Sequence, residues 1–142
     1  MKKELCLELI ICLIILMLFY ACFSKWADMR LFRHVMLYQP FPAWAAETLV
    51  WLLPPIEMFT GILIIFPKTR RSGLFVFVLL MSAFSIYIIV ILMHFFPDVP
   101  CSCGGLIQSM SWVQHLIFNI FFIVMGIISI RLEQQIKNSS SD

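Results

Sequence analysis

Four long apolar segments make up most of the chain, and short polar stretches separate them. They cover residues 5–23, 45–66, 74–96 and 112–130. An α-helix needs roughly 20 apolar residues to cross the hydrocarbon core of a bilayer, and each segment is close to that length. None of them alternates apolar and polar residues as the strands of an outer-membrane β-barrel do. The pattern predicts an all-α membrane protein, a bundle of four transmembrane helices.

The first apolar segment has a second interpretation, as a signal peptide that is removed. Its apolar core is long for a signal peptide, and Glu4 and Glu8 are unusual in that position. We therefore expect the first helix to be retained. The four helices should form one domain, 1–137, and the short polar tail 138–142 should be disordered.

Composition agrees with the hydrophobic pattern. The chain is 62% hydrophobic and 13% charged, whereas a soluble domain carries about 25% charged residues. Too few polar residues are present to cover a water-facing surface, so the lipid bilayer is the expected environment. The net charge of +2 is not concentrated on a soluble face, and a nucleic-acid partner is therefore not indicated.

The positions of the basic residues predict the orientation of the helices. Seven of the ten lie before the first span, between the second and third spans, or after the fourth: Lys2, Lys3, Lys68, Arg70, Arg71, Arg131 and Lys137. The loop between the third and fourth spans has none. Both termini should therefore be cytoplasmic, with that loop on the outer side.

The first loop does not fit this distribution, because Lys25, Arg30 and Arg33 would lie outside. We interpret it as a structured, amphipathic segment at the membrane interface. Its aromatic residues are expected at headgroup depth: Trp26, Phe32, Tyr38, Phe41 and Trp44.

The outer loop contains a pair of cysteines, Cys101 and Cys103, followed by two glycines. In an oxidising compartment such a pair is a disulfide or a redox couple. Cysteines two residues apart are near the limit of Cα separation for a disulfide, so their bond would be strained and easily reduced. The pattern favours thiol–disulfide exchange. Two unreactive cysteines, or a structural bridge from one of them to Cys22, are the alternatives.

The fourth span begins with a capping box, in which the Ser111 hydroxyl and the Gln114 side chain satisfy backbone groups at the helix start. His115 shares a helical face with Trp112 and Asn119. An imidazole near the cysteines could stabilise a thiolate or carry its proton. Equally, His115 and Asn119 could form hydrogen bonds between helices.

Glu57 is an acidic residue within the second apolar segment. A carboxylate at the middle of a membrane costs about 2.5–3.5 kcal/mol, so it indicates a functional position. The preceding pair 54–55 is Pro-Pro, and a kink there could open a polar pocket beside the carboxyl group. Lys25, Arg30 or Arg33 could be its counter-ion. If the helix began at the first proline instead, Glu57 would lie in its first turn, but the remaining helix would be too short to cross.

Two groups of residues resemble a known family. The first group resembles the DoxX-like membrane proteins: Ser24, Lys25, Pro54, Glu57, Gly61, Arg71 and Gly73. The second resembles their methylamine-utilisation branch, MauE: Cys101, Cys103, Gly104, Gly105, Trp112, His115 and Asn119. The resemblance implies a four-helix bundle of the bacterial inner membrane, associated with redox or disulfide chemistry of exported proteins. With the orientation that the basic residues predict, the cysteine loop would face the periplasm. MauE is implicated in the maturation of methylamine dehydrogenase, a disulfide-rich periplasmic enzyme.

The first functional hypothesis is a membrane protein resembling a thiol–disulfide oxidoreductase. Cys101 and Cys103 would exchange electrons with a periplasmic partner, thioredoxin-like or disulfide-containing, and His115 would tune the thiolate. A quinone is a candidate cofactor beside the polar core. That core is expected to contain Lys25, Glu57, Trp112 and Asn119.

The second hypothesis is a non-catalytic membrane accessory subunit or a protein that handles copper or zinc. Cys101, Cys103 and His115 supply three ligand atoms of the types that copper(I) and zinc accept. Cys22 or His94 could complete such a site.

Overall fold

The computed structural model describes residues 2–93 and 111–139. These residues form five helices and no strand: α1 (Lys2–Ala27), α2 (Met29–Leu37), α3 (Ala43–Ile65), α4 (Arg70–Leu92) and α5 (Trp112–Ser139). In the described part of the chain, α1, α3, α4 and α5 are long and apolar enough to cross a membrane. The prediction of an all-α protein with four transmembrane helices is confirmed.

The four long helices form a closed ring. α1 packs against α3 and α5, and α4 completes the ring by packing against the same two helices. Near the chain ends, Lys3 Nζ donates to Gln135 Oε1 over 3.4 Å, and Arg70 Nη1 donates to Glu8 Oε1 over 2.8 Å. The start of α1 and the end of α5 therefore meet at one end of the bundle, which we call the Arg70 end. The cytoplasmic location of both termini remains a prediction.

Each long helix turns one stripe of residues, spaced three or four apart, towards the interior. The buried stripes include Leu7, Ile11, Ile14, Leu18, Cys22 and Lys25 on α1; Ala46, Val50, Leu53, Glu57, Thr60 and Ile64 on α3; Leu74, Phe77, Met81, Ser85 and Ile88 on α4; and His115, Asn119, Phe122, Gly126 and Ser129 on α5. The buried residues towards the Arg70 end form an apolar cluster. The charged and amide-bearing members of the stripes lie towards the opposite end, which we call the Trp112 end.

Glycines allow the helices to approach closely, as is common where helices pack in membranes. A Cβ atom on Gly73 would lie only 2.9 Å from the backbone nitrogen of Ile64. A Cβ atom on Gly126 would lie 2.7 Å from Cγ2 of Val78. These glycines set the spacing of α3, α4 and α5 at the Arg70 end, because a larger residue would force the backbones apart.

The helix that begins at Lys2 is interrupted at Asp28. The Asp28 carboxylate accepts a hydrogen bond from the Leu31 amide over 3.0 Å and starts α2 there. α2 then lies along the first half of α3, where Phe32 and Met36 pack with Val50 and Leu53. The second half of α3 instead faces α1. Phe32 is only 4% exposed, because α2 docks on α3 through this face; its depth in the membrane stays a prediction.

The proline pair of α3 and the start of α5 are two places where the sequence pattern predicts a local feature of the helix. α3 continues through the proline pair 54–55, so Glu57 lies well inside the helix and the alternative start at the first proline is wrong. The capping box at α5 is confirmed: the Ser111 amide donates to Gln114 Oε1 over 2.9 Å, and the Gln114 amide donates to Ser111 Oγ over 3.3 Å. α5 continues to Ser139. Residues 94–96 of the predicted third span and 140–142 of the tail lie outside the described residues.

Candidate functional site

The centre of the site is an ion pair between α1 and α3. The ammonium group of Lys25 lies 2.8 Å from Glu57 Oε1 and 3.0 Å from Oε2. The side chains are only 7% and 6% exposed. Both residues belong to the buried stripes of their helices, so regular helix geometry brings them together. Of the three basic residues predicted as candidate counter-ions, Arg33 pairs instead with Glu47, whose side chain is 34% exposed.

All three donors of the Lys25 ammonium group are used. Besides the two carboxylate oxygens, Lys25 Nζ donates to the carbonyl oxygen of Ala21 over 3.2 Å. The face of the Phe32 ring lies 5.8 Å from Nζ, within the range of a cation–π contact. The cation and the carboxylate thus neutralise each other and satisfy the hydrogen bonds that burial would otherwise leave unmade. The pair adds polarity to the interior without adding net charge.

α5 contributes a second polar group at the same height in the bundle. His115 and Asn119 are one helical turn apart and are 5% and 2% exposed. The amide nitrogen of Asn119, Nδ2, is buried and has no hydrogen-bond partner within the described part of the chain. Leaving such a donor unpaired costs about 1–3 kcal/mol. Among the described residues, the Asn119 amide is therefore a buried donor without an acceptor.

The sequence patterns missed a third polar contact, between the α2–α3 connection and α4. Gln39 is 4% exposed; its amide nitrogen donates to the Val35 carbonyl oxygen over 3.3 Å, and its Oε1 accepts from the Tyr87 hydroxyl. The Phe41 ring stacks on Tyr87 with centroids 5.1 Å apart, and Trp112 meets Tyr87 edge to face at 6.3 Å. In the sequence, this contact could have been suspected from Gln39, a polar residue between the aromatic residues Tyr38 and Phe41.

These groups line one cavity of about 250 Å³, which we call the polar cavity. It extends along the bundle from Trp112, the first residue of α5, to Met81, half-way along α4. All five helices contribute to its wall. The polar lining residues are Lys25, Gln39, Glu57, Tyr87, Trp112, His115 and Asn119, and most of the others are apolar. The cavity therefore contains all four residues expected in the polar core, together with His115.

Of the cysteines, the structure describes only those of α1. Cys22 is buried, whereas Cys6 and Cys12 are exposed, and all three are free thiols. Cys101, Cys103 and His94 lie outside the described residues, so the exchange pair and the proposed metal ligands stay predictions. Residues 2–93 and 111–139 contain no group of three His, Cys, Asp or Glu side chains placed to hold a metal ion. In the chain, the segment with the cysteine pair follows α4 and precedes α5.

The fold and the cavity define a multi-pass membrane protein, a four-helix transmembrane bundle with a polar cavity in its interior. The chain belongs to the family of the methylamine utilisation protein MauE, which matches residues 3–132. The predicted membership of this family is confirmed, and the family associates the chain with methylamine utilisation. Comparisons with curated proteins and with solved structures gave no match.

Proposed function

We propose that this protein is a thiol–disulfide redox protein of the bacterial inner membrane, in which Cys101 and Cys103 exchange with exported proteins. The observation that carries the proposal is the location of the polar cavity. It is lined by residues of α4 and by the first turns of α5, the two helices that the cysteine-bearing segment connects in the chain. A buried imidazole and a neutralised ion pair in an apolar bundle are the kind of surroundings that can support proton transfer near a thiol.

The proposed reaction proceeds through a mixed disulfide. A thiolate of the partner attacks one sulfur of the Cys101–Cys103 bond, which breaks as the mixed disulfide forms. A second partner thiol then displaces that cysteine, so the partner gains a disulfide and the pair becomes a dithiol. Two electrons and two protons pass from the partner to the pair. Transfer in the opposite direction uses the same mixed disulfide.

His115 has the role of a proton carrier in this proposal. Its ring lies in the first turns of α5, buried against the polar cavity. A neutral imidazole can accept the proton of a thiol and return it later. The Lys25–Glu57 pair has a supporting role, because it holds α1 against α3 and fixes one wall of the cavity.

The partner is proposed from the family rather than from the geometry. Membership of the MauE family points to methylamine utilisation, and the resemblance implies a disulfide-rich periplasmic enzyme such as methylamine dehydrogenase as the protein being matured. A thioredoxin-like protein could carry the electrons between them. The cysteine segment would then face the periplasm.

The proposal is tested by measuring the redox state of the pair in membranes. The protein is alkylated with a mass-tagged maleimide before and after treatment with a reductant, with the Cys101→Ser/Cys103→Ser variant as the control. We expect two additional tags after reduction in the wild type and none in the variant. Equal tagging with and without reductant overturns the redox proposal. Tagging that instead increases after a chelator, and is prevented by copper or zinc, supports the metal-handling alternative.

A further inference from the structure

We propose that the polar cavity binds the ring of a lipid-soluble quinone, with the side-chain amide of Asn119 donating a hydrogen bond to a carbonyl oxygen of that ring. The choice of a quinone rests on the proposed thiol–disulfide function, which needs an electron acceptor within the membrane. The inference that a ligand binds here does not depend on that function; it rests on the polar cavity and on the Asn119 amide that lines it.

The polar cavity contains a hydrogen-bond donor that has no acceptor among the described residues. Asn119 Nδ2 is buried, lines the cavity and has no partner among the described residues. Lys25 cannot serve the same ligand, because its three donors are occupied by Ala21 and Glu57. The free donor is thus a neutral amide. A carbonyl oxygen is the acceptor that matches it in an apolar setting.

The charge and surface of the cavity exclude ionic ligands. The ion pair of Lys25 and Glu57 is neutral as a whole, so it offers no net attraction to a phosphate or a carboxylate. Most of the wall is apolar: Met17, Leu49, Leu53, Met81, Phe84, Ile88 and Phe118 are among the lining residues. Phe41, Tyr87 and Trp112 add aromatic surface towards the Trp112 end. A neutral, flat and largely apolar molecule suits these surroundings.

The size and access of the cavity fit a substituted ring. A buried apolar cavity of about 150 Å³ is known to hold benzene, and this cavity measures about 250 Å³. Ala83 lines the cavity and is also exposed on the outer surface of α4. Its neighbours Leu79 and Ile86 are 71% and 63% exposed and present apolar surface to lipid. A ligand dissolved in the bilayer can therefore approach beside Ala83.

The break between α1 and α2 agrees with a binding site at this height. Interrupted helices in membrane proteins are tolerated where they line a cavity, and substrate sites are often formed there. Lys25 lies in the last turn of α1, and Phe32 lies in α2, so both sides of the break contribute to the wall.

A bound quinone would complete the redox balance of the proposed function. When Cys101 and Cys103 form their disulfide, two thiols lose two electrons and two protons. A quinone takes up both at its two oxygen atoms and becomes the quinol. The same site would thus regenerate the oxidised pair after each exchange with a partner protein.

The test is photolabelling of the purified protein in nanodiscs with an azido-quinone, in competition with decylubiquinone. It uses the Cys101→Ser/Cys103→Ser background, so that binding is measured without any thiol chemistry. We expect saturable labelling of peptides from α4 and α5. Asn119→Leu should weaken binding roughly 2- to 10-fold, the effect of one hydrogen bond. Ala83→Trp should abolish it by closing the approach, whereas Val76→Trp, on the exposed face of the same helix but about two turns nearer the Arg70 end, should leave it unchanged.

The outcomes separate this inference from the proposed function. Labelling that does not saturate, or that is equal in Ala83→Trp and Val76→Trp, shows only partition into the bilayer and overturns the quinone site. Absence of labelling overturns it as well, even where the wild-type pair responds to reductant. Saturable labelling that Ala83→Trp removes supports the site, whether or not the cysteines exchange with a partner.

Discussion

Lys25 Nζ contacts both carboxylate oxygens of Glu57, at 2.8 and 3.0 Å, and joins the last turn of α1 to the interior of α3. The contact lies next to the point where α1 ends and α2 begins. Both side chains are almost completely buried. The pair therefore holds together the part of the bundle where the backbone of the first helix is interrupted.

Replacing Glu57 should destabilise the bundle, and a positively charged side chain at this position should destabilise it more than a neutral one. Glu57→Gln keeps an acceptor for Lys25, so we expect it to insert and fold but to lose thiol exchange. Glu57→Lys places two cations together in the interior, and breaking a buried pair costs about 3–5 kcal/mol. Thermal unfolding in detergent measures the difference. Glu47→Gln and Glu47→Lys are matched controls, because Glu47 is on the same helix as Glu57 and pairs with Arg33 of α2 at the surface. Equal effects at the two positions would contradict this assignment.

Replacing the whole pair should separate stability from function. In Lys25→Met/Glu57→Leu both charges are removed together, and such replacements of buried ion pairs are often neutral or stabilising. We expect the double variant to unfold within about 1 kcal/mol of the wild type in a double-mutant cycle, while each single variant is less stable. The redox response of the cysteine pair should be reduced in the double variant. An unchanged redox response would show that the Lys25–Glu57 ion pair has only a structural role.

Gly73→Ala should lower the stability of the protein more than a substitution within a helix usually does. Its Cβ atom would lie 2.9 Å from the Ile64 nitrogen, a backbone atom that cannot rotate away, so overpacking should cost about 1–3 kcal/mol. Gly61→Ala should cost less, because its nearest neighbour, at 2.7 Å, is the ring of Phe19, which can turn. Unfolding temperatures of the two variants are compared with that of exposed Ser72→Ala. The prediction fails if Gly73→Ala is as stable as Ser72→Ala.

The basic residues predict that the cysteine segment lies outside the cell membrane and both termini inside. A membrane-impermeant maleimide added to intact cells after mild reduction should label Cys101 or Cys103. The Cys101→Ser/Cys103→Ser variant should remain unlabelled, because Cys22 is buried and because, in the predicted orientation, exposed Cys6 and Cys12 of α1 lie within the membrane or towards its cytoplasmic side. Labelling of the wild type that appears only after lysis would reverse the orientation.

The two loop cysteines should behave differently when each is replaced. When the reduced pair attacks a disulfide of the partner, the reverse of the direction described above, we expect Cys103 to be the attacking thiol. It is closer in the chain to the capped start of α5 and to His115, and a helix N-terminus and an imidazolium favour a thiolate. Cys101→Ser should therefore accumulate a mixed disulfide with a partner, visible on non-reducing gels and released by reductant. Cys103→Ser should form none. The opposite pattern would assign the attack to Cys101.

Much of the architecture follows from the chain alone, because the requirement for spanning a bilayer is local. A helix satisfies its backbone hydrogen bonds internally, so about 20 apolar residues are sufficient to predict a span. Glu57 and the His115–Asn119 pair could be recognised as candidates for the same reason, since polar groups are costly inside a membrane. The capping box at Ser111 is also a local pattern, and the structure contains both of its hydrogen bonds.

The tertiary structure alone decided which residues meet. In a membrane the lipid-facing side of a helix is as apolar as its interior side, so hydrophobic periodicity does not show which face is buried. The sequence does not distinguish Lys25, Arg30 and Arg33 as counter-ions of Glu57. In the structure, Lys25 in the last turn of α1 lies opposite Glu57 and pairs with it. Gln39 and Tyr87 are 48 residues apart in the chain, and no local pattern joins them. The polar cavity, with its unpaired Asn119 amide, depends on these long-range contacts, since all five helices must pack before it exists.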